Sequence, residues 1–325
     1  MALTTVQGQM LTAPLTLTGN LTFSDGSVQT AAASPYVLKN RIINGAMQIW
    51  QRGTSFSGNG YTADRWYAGN SPTAVTQSTD VPTGFQYSLD ITGANHLINQ
   101  RIESYNILDT YGQSLTLSFW AKSISGTNTL TVQIGTPSAL NNFAIQNVEQ
   151  TSSAITLTSS WARYTVTFSS LSSSVSNGAF IYIYRNGSTS TDETRFTGVQ
   201  LEIGTSATPF ERRLYNQELA NCQRYLPSSG ITSNYYAGVS TSTTNAYAPI
   251  PLPVPARVAP TGITIASGTY YWLNGSGTQN TATVVFNSAG YQGAMVQITT
   301  TGATLGQAGL FNPNGATILF TGCEL

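Results

Sequence analysis

The 325-residue chain is poor in charge: Asp, Glu, Lys and Arg make up 8% of it, with 13 acidic and 13 basic residues. Ordinary soluble domains carry roughly a quarter. A net charge of zero, with no run of Lys or Arg, provides no field to gather phosphate, so nucleic acid and an anionic membrane surface are not expected partners. Two cysteines, Cys222 and Cys323, are too few and too far apart for a disulfide framework, and read as buried thiols. The single histidine, His96, has no Gly-x-Ser-x-Gly elbow to serve, which argues against a hydrolytic triad and marks it as structural. No metal-ligand spacing and no phosphate-cradling glycine loop occur. No cofactor is therefore expected, and a structural calcium has no ligand loop that would select it. The amino terminus lacks a basic start and an apolar core, and no window reaches the roughly 18 apolar residues of a membrane helix, so synthesis or assembly in a cytosol without membrane insertion is expected.

What is present is β pattern. Turn residues such as Gly58-Asn59-Gly60, Gly93-Ala94-Asn95 and Asn177-Gly178 separate apolar alternations at about 41–51, 61–68, 85–92, 97–105, 114–123, 129–135, 143–149, 154–168, 179–185 and 194–203. Many short strands at this spacing predict an all-β fold, a sandwich of two antiparallel sheets. Leu115, Leu117 and Phe119 share one face of their strand and Trp120 lies on the other. Ile181 and Ile183 likewise oppose Phe180, Tyr182 and Tyr184. Aromatics on the face away from the core suit sugar rings, whose apolar C–H groups stack on them, so Trp120, Tyr182 and Tyr184 are the candidate glycan-binding residues. Packing against a neighbouring subunit is the competing role.

One helix signal interrupts the strands. Tyr215, Leu219, Cys222 and Leu226 recur at i, i+4, i+7 and i+11 and Pro227 ends the pattern, which predicts a helical connector over 211–227. This stripe can face its own sandwich or equivalent helices of other chains; the second is favoured, making these four the candidate oligomer-interface residues. Residues 1–38 form a leader in which Leu15, Leu17, Leu21 and Phe23 alternate before a turn at Asp25-Gly26. The sandwich occupies 39–210, and 228–325 reads as a smaller β-domain. Its entry, PIPLPVPARVAP, places prolines at 249, 251, 253 and 255, so every missing donor lies on one edge of an extended segment. A low-charge chain with so many strands needs its edges covered, which points to a permanent oligomer.

A series of motifs extends over most of 40–262: RIINGAMQIWQRGTSF (41–56), YTADRW (61–66), LTLSFWAKS (115–123), SSWARYTVTF (159–168), GVQLEIGTSATPFERR (198–213), ELANCQRY (218–225) and LPVPARVAP (252–260). Together they resemble modules of bacteriophage tail-fibre and related virion appendage proteins, whose first portion is a jelly-roll similar to carbohydrate-binding modules. The resemblance implies a homotrimeric virion component, attached to other virion proteins through its leader, that binds a host receptor or cell-surface glycan without catalysis. Trp50, Trp66 and Trp161 lie within the motifs and read as core. The alternatives are a polysaccharide-degrading appendage using a carboxylate pair, of which Asp192-Glu193 is the one adjacent example and reads as a solvated loop, a head fibre with a decorating role, or a free-standing lectin.

Overall fold

A computed structural model of the protein describes residues 39–126, 128–187, 189–229, 235–265, 269–274 and 279–325, with two short strands before them. The chain divides into Met1–Lys39 and Asn40–Leu325. In the first unit β1 (Leu21–Thr22) pairs antiparallel with β2 (Val28–Gln29). Leu15, Leu17, Phe23 and the expected turn at Asp25-Gly26 lie outside the described residues.

The second unit begins with a sandwich built from β3 (Ser55–Phe56), β4 (Gly60–Tyr61), β5 (Tyr67–Gly69), β6 (Ala74–Ser78), β7 (Ser88–Thr92), β8 (Leu97–Ile102), β9 (Leu115–Ser123), β10 (Thr129–Ala139), β11 (Asn142–Thr151), β12 (Ile155–Thr156), β13 (Ala162–Phe168), β14 (Ala179–Asn186) and β15 (Glu193–Ile203). A seven-stranded sheet runs β11-β10-β14-β8-β5-β4 with β12 on β10, and a six-stranded sheet runs β13-β9-β15-β7-β6-β3. All pairs are antiparallel, and from β7 onward the chain passes repeatedly from one sheet to the other, giving an all-β jelly-roll. The predicted alternation sets its core: Ile181, Ile183, Val132 and Ile134 of one sheet face Leu115, Leu117, Phe119 and Phe196 of the other. Each such side chain contributes about 1.5–3 kcal/mol by burial.

Residues 41–51 are not a strand, contrary to the apolar pattern. Asn44 and Met47 have positive φ, and the Asn44 side chain replaces a ladder: its oxygen accepts from the N–H groups of Gln48 and Ile49, and its amide donates to the carbonyls of Ile49 and Asp64. The helix is also shorter than expected. α1 spans Tyr215–Gln223, and Leu214 before it is extended. Residues 211–214 are held instead by the sandwich: Glu211 N–H donates to Gln200 Oε1 at 2.7 Å, and Arg213 Nη1 donates to the Ile42 carbonyl at 3.0 Å.

After α1 come β16 (Tyr236–Ser240), β17 (Asn245–Pro251), β18 (Gly262–Ile265), β19 (Tyr270–Asn274), β20 (Gln279–Ala289), β21 (Gly293–Thr300), β22 (Ala308–Asn312) and β23 (Ile318–Thr321). Six of them close a barrel in the order β16-β17-β21-β20-β19-β22, while β18 pairs β23. Trp272, Val296, Ile298, Phe311 and Phe320 fill this second core. Gly309 is required there, since a Cβ would lie 2.3 Å from Trp272 Cζ2. The proline segment behaves asymmetrically. β17 pairs with β21 as far as Pro251 but with β16 only at Ala246 and Tyr247, and Leu252 and Ala256 donate to carbonyls of Gln292 and Tyr291. The donors lost to Pro249 and Pro251 thus face the side where pairing has already ended.

Candidate functional site

The two outer faces of the sandwich differ in what covers them. Across the six-stranded sheet lies the segment that leads to α1: Thr208 N–H and Oγ1 donate to the Glu202 carboxylate, Thr116 Oγ1 donates to the Gly204 carbonyl at 2.7 Å, and Arg163 Nη2 donates to Ser118 Oγ at 2.8 Å. Thr116 and Ser118 are buried in consequence, although alternation alone points them outward. Trp120 sits on this covered face. A Cβ on Gly198 would lie 2.6 Å from Phe85 Cζ and 2.9 Å from Trp120 Cδ1, so both rings close over that glycine. Phe85 in turn meets Phe210 edge-on, and the Arg212 guanidinium lies over both. Trp120 is half-buried packing, not part of an open platform.

The seven-stranded sheet presents a different face. Register places Tyr67, Asn99, Tyr182 and Gln133 in one row across β5, β8, β14 and β10. A neighbouring row holds Leu97, Tyr184 and Thr131, and the row on the other side holds Arg101, Phe180 and Gly135. Tyr182 and Tyr184 are half-buried, as is Tyr67. Tyr182 packs against Phe180 at 4.7 Å between centroids and donates its hydroxyl to Gln146 Oε1 at 2.5 Å. Burial raises the Tyr182 pKa against the opposing charge of Arg101, so the phenol stays a donor at neutral pH. At the sheet edge Tyr61 meets Tyr67 edge-on at 5.4 Å and donates to the Leu325 main-chain oxygen at 2.9 Å.

Asn99 is the unusual member of this face. It is 4% exposed, stands between Tyr67 and Tyr182, and its Oδ1 has no hydrogen-bond partner. A buried acceptor left unpaired costs about 1–3 kcal/mol. Sequence reading did not select Tyr67, Asn99 or Arg101. The available signal was the alternation in LINQRI, where Leu97, Asn99 and Arg101 share the face opposite Ile98 and Ile102.

The helix stripe divides. Tyr215 is 58% exposed and Leu219 half-buried, but Cys222 and Leu226 are fully buried within their own chain. A side chain with no accessible surface cannot reach another subunit, so these two belong to the intrachain core. Glu218, not an apolar residue, completes the buried side, accepting from Asn44 N–H and from Arg213 Nη1. A cavity of about 180 Å³ opens beside it, lined by Asn44, Gln48, Phe210, Arg213 and Tyr215.

Other predicted residues are structural. His96 is buried, its Nδ1 3.0 Å from the Gly93 carbonyl; burial, aided by Arg185, pushes its pKa down to about 4. Asp192 is not a solvated loop acid but the partner of the buried Arg185, and Glu193 lies 3.2 Å from Arg195. Trp66 is core, Trp50 packs beside it, and half-buried Trp161 donates to Asp80 Oδ1 at 3.0 Å. Burial opposes ionisation of Asp80, but bonds from Lys122 and Trp161 outweigh it and hold the pKa at about 2.

The jelly-roll and the barrel meet at a cluster of guanidinium groups. Arg65, 1% exposed, reaches Glu324 with Nη1 and the Arg101 carbonyl with Nη2 at 2.7 Å, its Cζ lying 3.6 Å from the Tyr225 ring centroid. Arg52 holds the other Glu324 oxygen at 2.9 Å. Tyr225 donates to Glu103 at 2.8 Å, Arg224 pairs with the same carboxylate, and Arg257 donates to the carbonyls of Cys323 and Glu324.

Neither a family model nor a curated protein matches the chain. Solved structures with a similar sandwich include the CBM22-1 xylan-binding domain of Paenibacillus barcinonensis Xyn10C, at 14% identity over 47% of this chain and 94% of that one, TM-score 0.34. The C-terminal family 22 carbohydrate binding module of Clostridium thermocellum Xyn10B is 13% identical over 50% of this chain and 100% of that one, TM-score 0.34. The enzymatically active domain of bacteriophage CBA120 tailspike protein 4 is 16% identical over 51% of this chain and 21% of that one, TM-score 0.35.

Proposed function

We propose that the jelly-roll binds a cell-surface glycan on the outer face of its seven-stranded sheet, as the recognition part of a homotrimeric virion appendage that carries out no catalysis. The observation behind the site is the row that sets the half-buried phenols of Tyr67 and Tyr182 on either side of Asn99. A sugar ring laid along this row stacks its C–H face on a phenol. The tyrosine hydroxyls and Gln133 supply further polar contacts at the rim. The motif series supports the virion role, and the sparse charge and the exposed Tyr215 support an assembly of copies. The adjacent carboxylates Asp192 and Glu193 are each tied to a guanidinium group, which supports binding without bond cleavage.

Binding to immobilised host-surface polysaccharide tests the site. Tyr182→Ala and Tyr67→Ala should each weaken it about tenfold or more, while Trp120→Ala on the covered face leaves it unchanged. Loss with Trp120→Ala and none with Tyr182→Ala would move the site to the other sheet. Light scattering that gives the mass of one chain at all concentrations would remove the trimer.

A further inference from the structure

We infer that copies of this chain meet through the outer surface of the barrel; the inference rests on the reading above that copies assemble, and gives that assembly a location. Ordinary soluble domains are roughly a quarter charged. Residues 228–325 carry two charged side chains, Arg257 and Glu324. The joint uses both of them: Arg257 donates to the carbonyls of Cys323 and Glu324, and the Glu324 carboxylate pairs with Arg52 and Arg65. No strand of the barrel therefore holds a charged side chain of either sign.

Apolar rows stand where charge is missing. Register places Ala308, Val239, Tyr247, Gln297 and Val285 in one outward row across β22, β16, β17, β21 and β20. Val239 is 45% and Val285 50% exposed, and the polar groups of the row meet each other, Tyr247 donating its hydroxyl to Gln297 Oε1 at 3.3 Å. The next outward row holds Leu273, Leu310 and Ala237, the last two exposed. Exposed apolar rows mark interaction sites, and the cores of interfaces are depleted in charge. Charge complementarity selects the partner. A charged surface pressed against these rows would lose water with no counter-charge to replace it, whereas a second copy brings a surface equally free of ions and nothing that repels it. Closing a ring of copies takes two different faces of each one, and a row that crosses five of the six strands supplies both.

Sedimentation of the full chain tests this with Val239→Lys and Val285→Lys, both at positions that point away from the barrel core. The wild type should run as a multiple of the chain mass. Each lysine should weaken association about hundredfold or more and leave single chains whose strand content is unchanged by circular dichroism. Ile145→Lys, at a more exposed position on β11 of the jelly-roll, should leave the mass of the assembly as it was. Radical footprinting of the wild type decides even if a lysine unfolds the barrel: Val239, Val285 and Leu310 should label about tenfold less than Ile145 and Leu140, which are exposed in the jelly-roll. An assembly that survives both lysines, barrel residues that label as freely as Ile145, or dissociation by Ile145→Lys alone overturns the barrel assignment and leaves the oligomer standing. A wild type with the mass of one chain at all concentrations overturns both readings. Single chains that float with phosphatidylcholine vesicles also overturn them, and give the rows to a lipid surface.

Discussion

Glu324→Gln is the most demanding test of the joint between jelly-roll and barrel, because it removes one charge and almost no volume. Arg65 has no route to water: it is 1% exposed, with the Tyr225 ring on one side and the Arg101 carbonyl on another. It also cannot relieve itself by losing a proton. Burial alone would lower its pKa, but Glu324 and the neighbouring phenols outweigh burial and raise it. Arg52, whose side chain is partly exposed, keeps Asp64 at 3.9 Å, so the loss falls on Arg65. Breaking a buried pair from one side costs about 3–5 kcal/mol. The 13% exposure of the Glu324 side chain allows some water to compensate, which places the expected loss near the lower end, about 3 kcal/mol. At roughly 2–4 °C per kcal/mol, the melting transition should fall on the order of 10 °C. Calorimetry on the wild type, Glu324→Gln, Arg65→Met and the double variant reads this directly. The double variant should be more stable than Glu324→Gln, since the stranded cation has gone with its partner. Additive losses, or a Glu324→Gln cost below about 1 kcal/mol, would refute the claim that this pair holds the two parts together.

His96 and the thiols give two further expectations. The folded-state pKa of His96 is depressed to about 4 from an ordinary 6.5, so the native state refuses a proton that the unfolded chain accepts, and stability present above pH 6.5 is lost as pH falls towards 4. The full loss is about 3 kcal/mol; urea unfolding across this window should show it in the wild type and a flatter profile in His96→Asn, and identical slopes would exclude His96 as the source. Burial raises the thiol pKa of Cys222 well above the usual range and that of Cys323 to about 11, so neither should react with a thiol reagent in the native protein and both should react in denaturant. One rapidly reacting native thiol would show that the helix or the final segment opens.

Where alternation is strict, as in LTLSFWAKS and AFIYIYRNG, the sequence shows the inner face directly, since period two leaves one assignment that buries the leucines and isoleucines. Strands at 74–78 and 308–312 escaped notice because AVTQS and AGLFN carry few large apolar residues; their pairing comes from neighbours far along the chain. Residues 41–51 failed in the opposite sense: their apolar residues are core, yet Asn44 bends the backbone and satisfies it locally. For the helix, periodicity located α1 but not its partner, because the buried side includes a glutamate whose value depends on Asn44 and Arg213. The proposed site was half legible. Tyr182 and Tyr184 were visible from alternation, but only the order β5-β8-β14 puts Tyr67, Asn99 and Arg101 beside them, and strand order is a long-range property.

The motif series explains the joint better than it explains recognition. Its polar residues form connected groups around the joint: Gln51 donates to Asp64 and to the Leu226 carbonyl, Arg52 and Arg65 hold Glu324, Gln200 and Glu202 fix Thr208 and Glu211, Glu218 caps Asn44, and Arg257 grips the last turns of the barrel. Most of these buried members depend on partners from distant segments, so changing one strands another at a cost of about 1–3 kcal/mol for a neutral group and more for a charge. Arg101 apart, which bonds the Leu325 main-chain oxygen, residues of the proposed glycan face are not bound this way. Tyr184 and Gln133 are half-buried and lie outside every motif, as do Asn99, Arg101 and Tyr182. Substitution of Tyr182, Tyr184 or Gln133 leaves the clamp between the two β-structures intact, so the proposed face can change its ligand while the joint keeps its geometry. The motif series therefore reports how the parts are held together, and on the proposed reading the specificity resides in residues that the series does not contain.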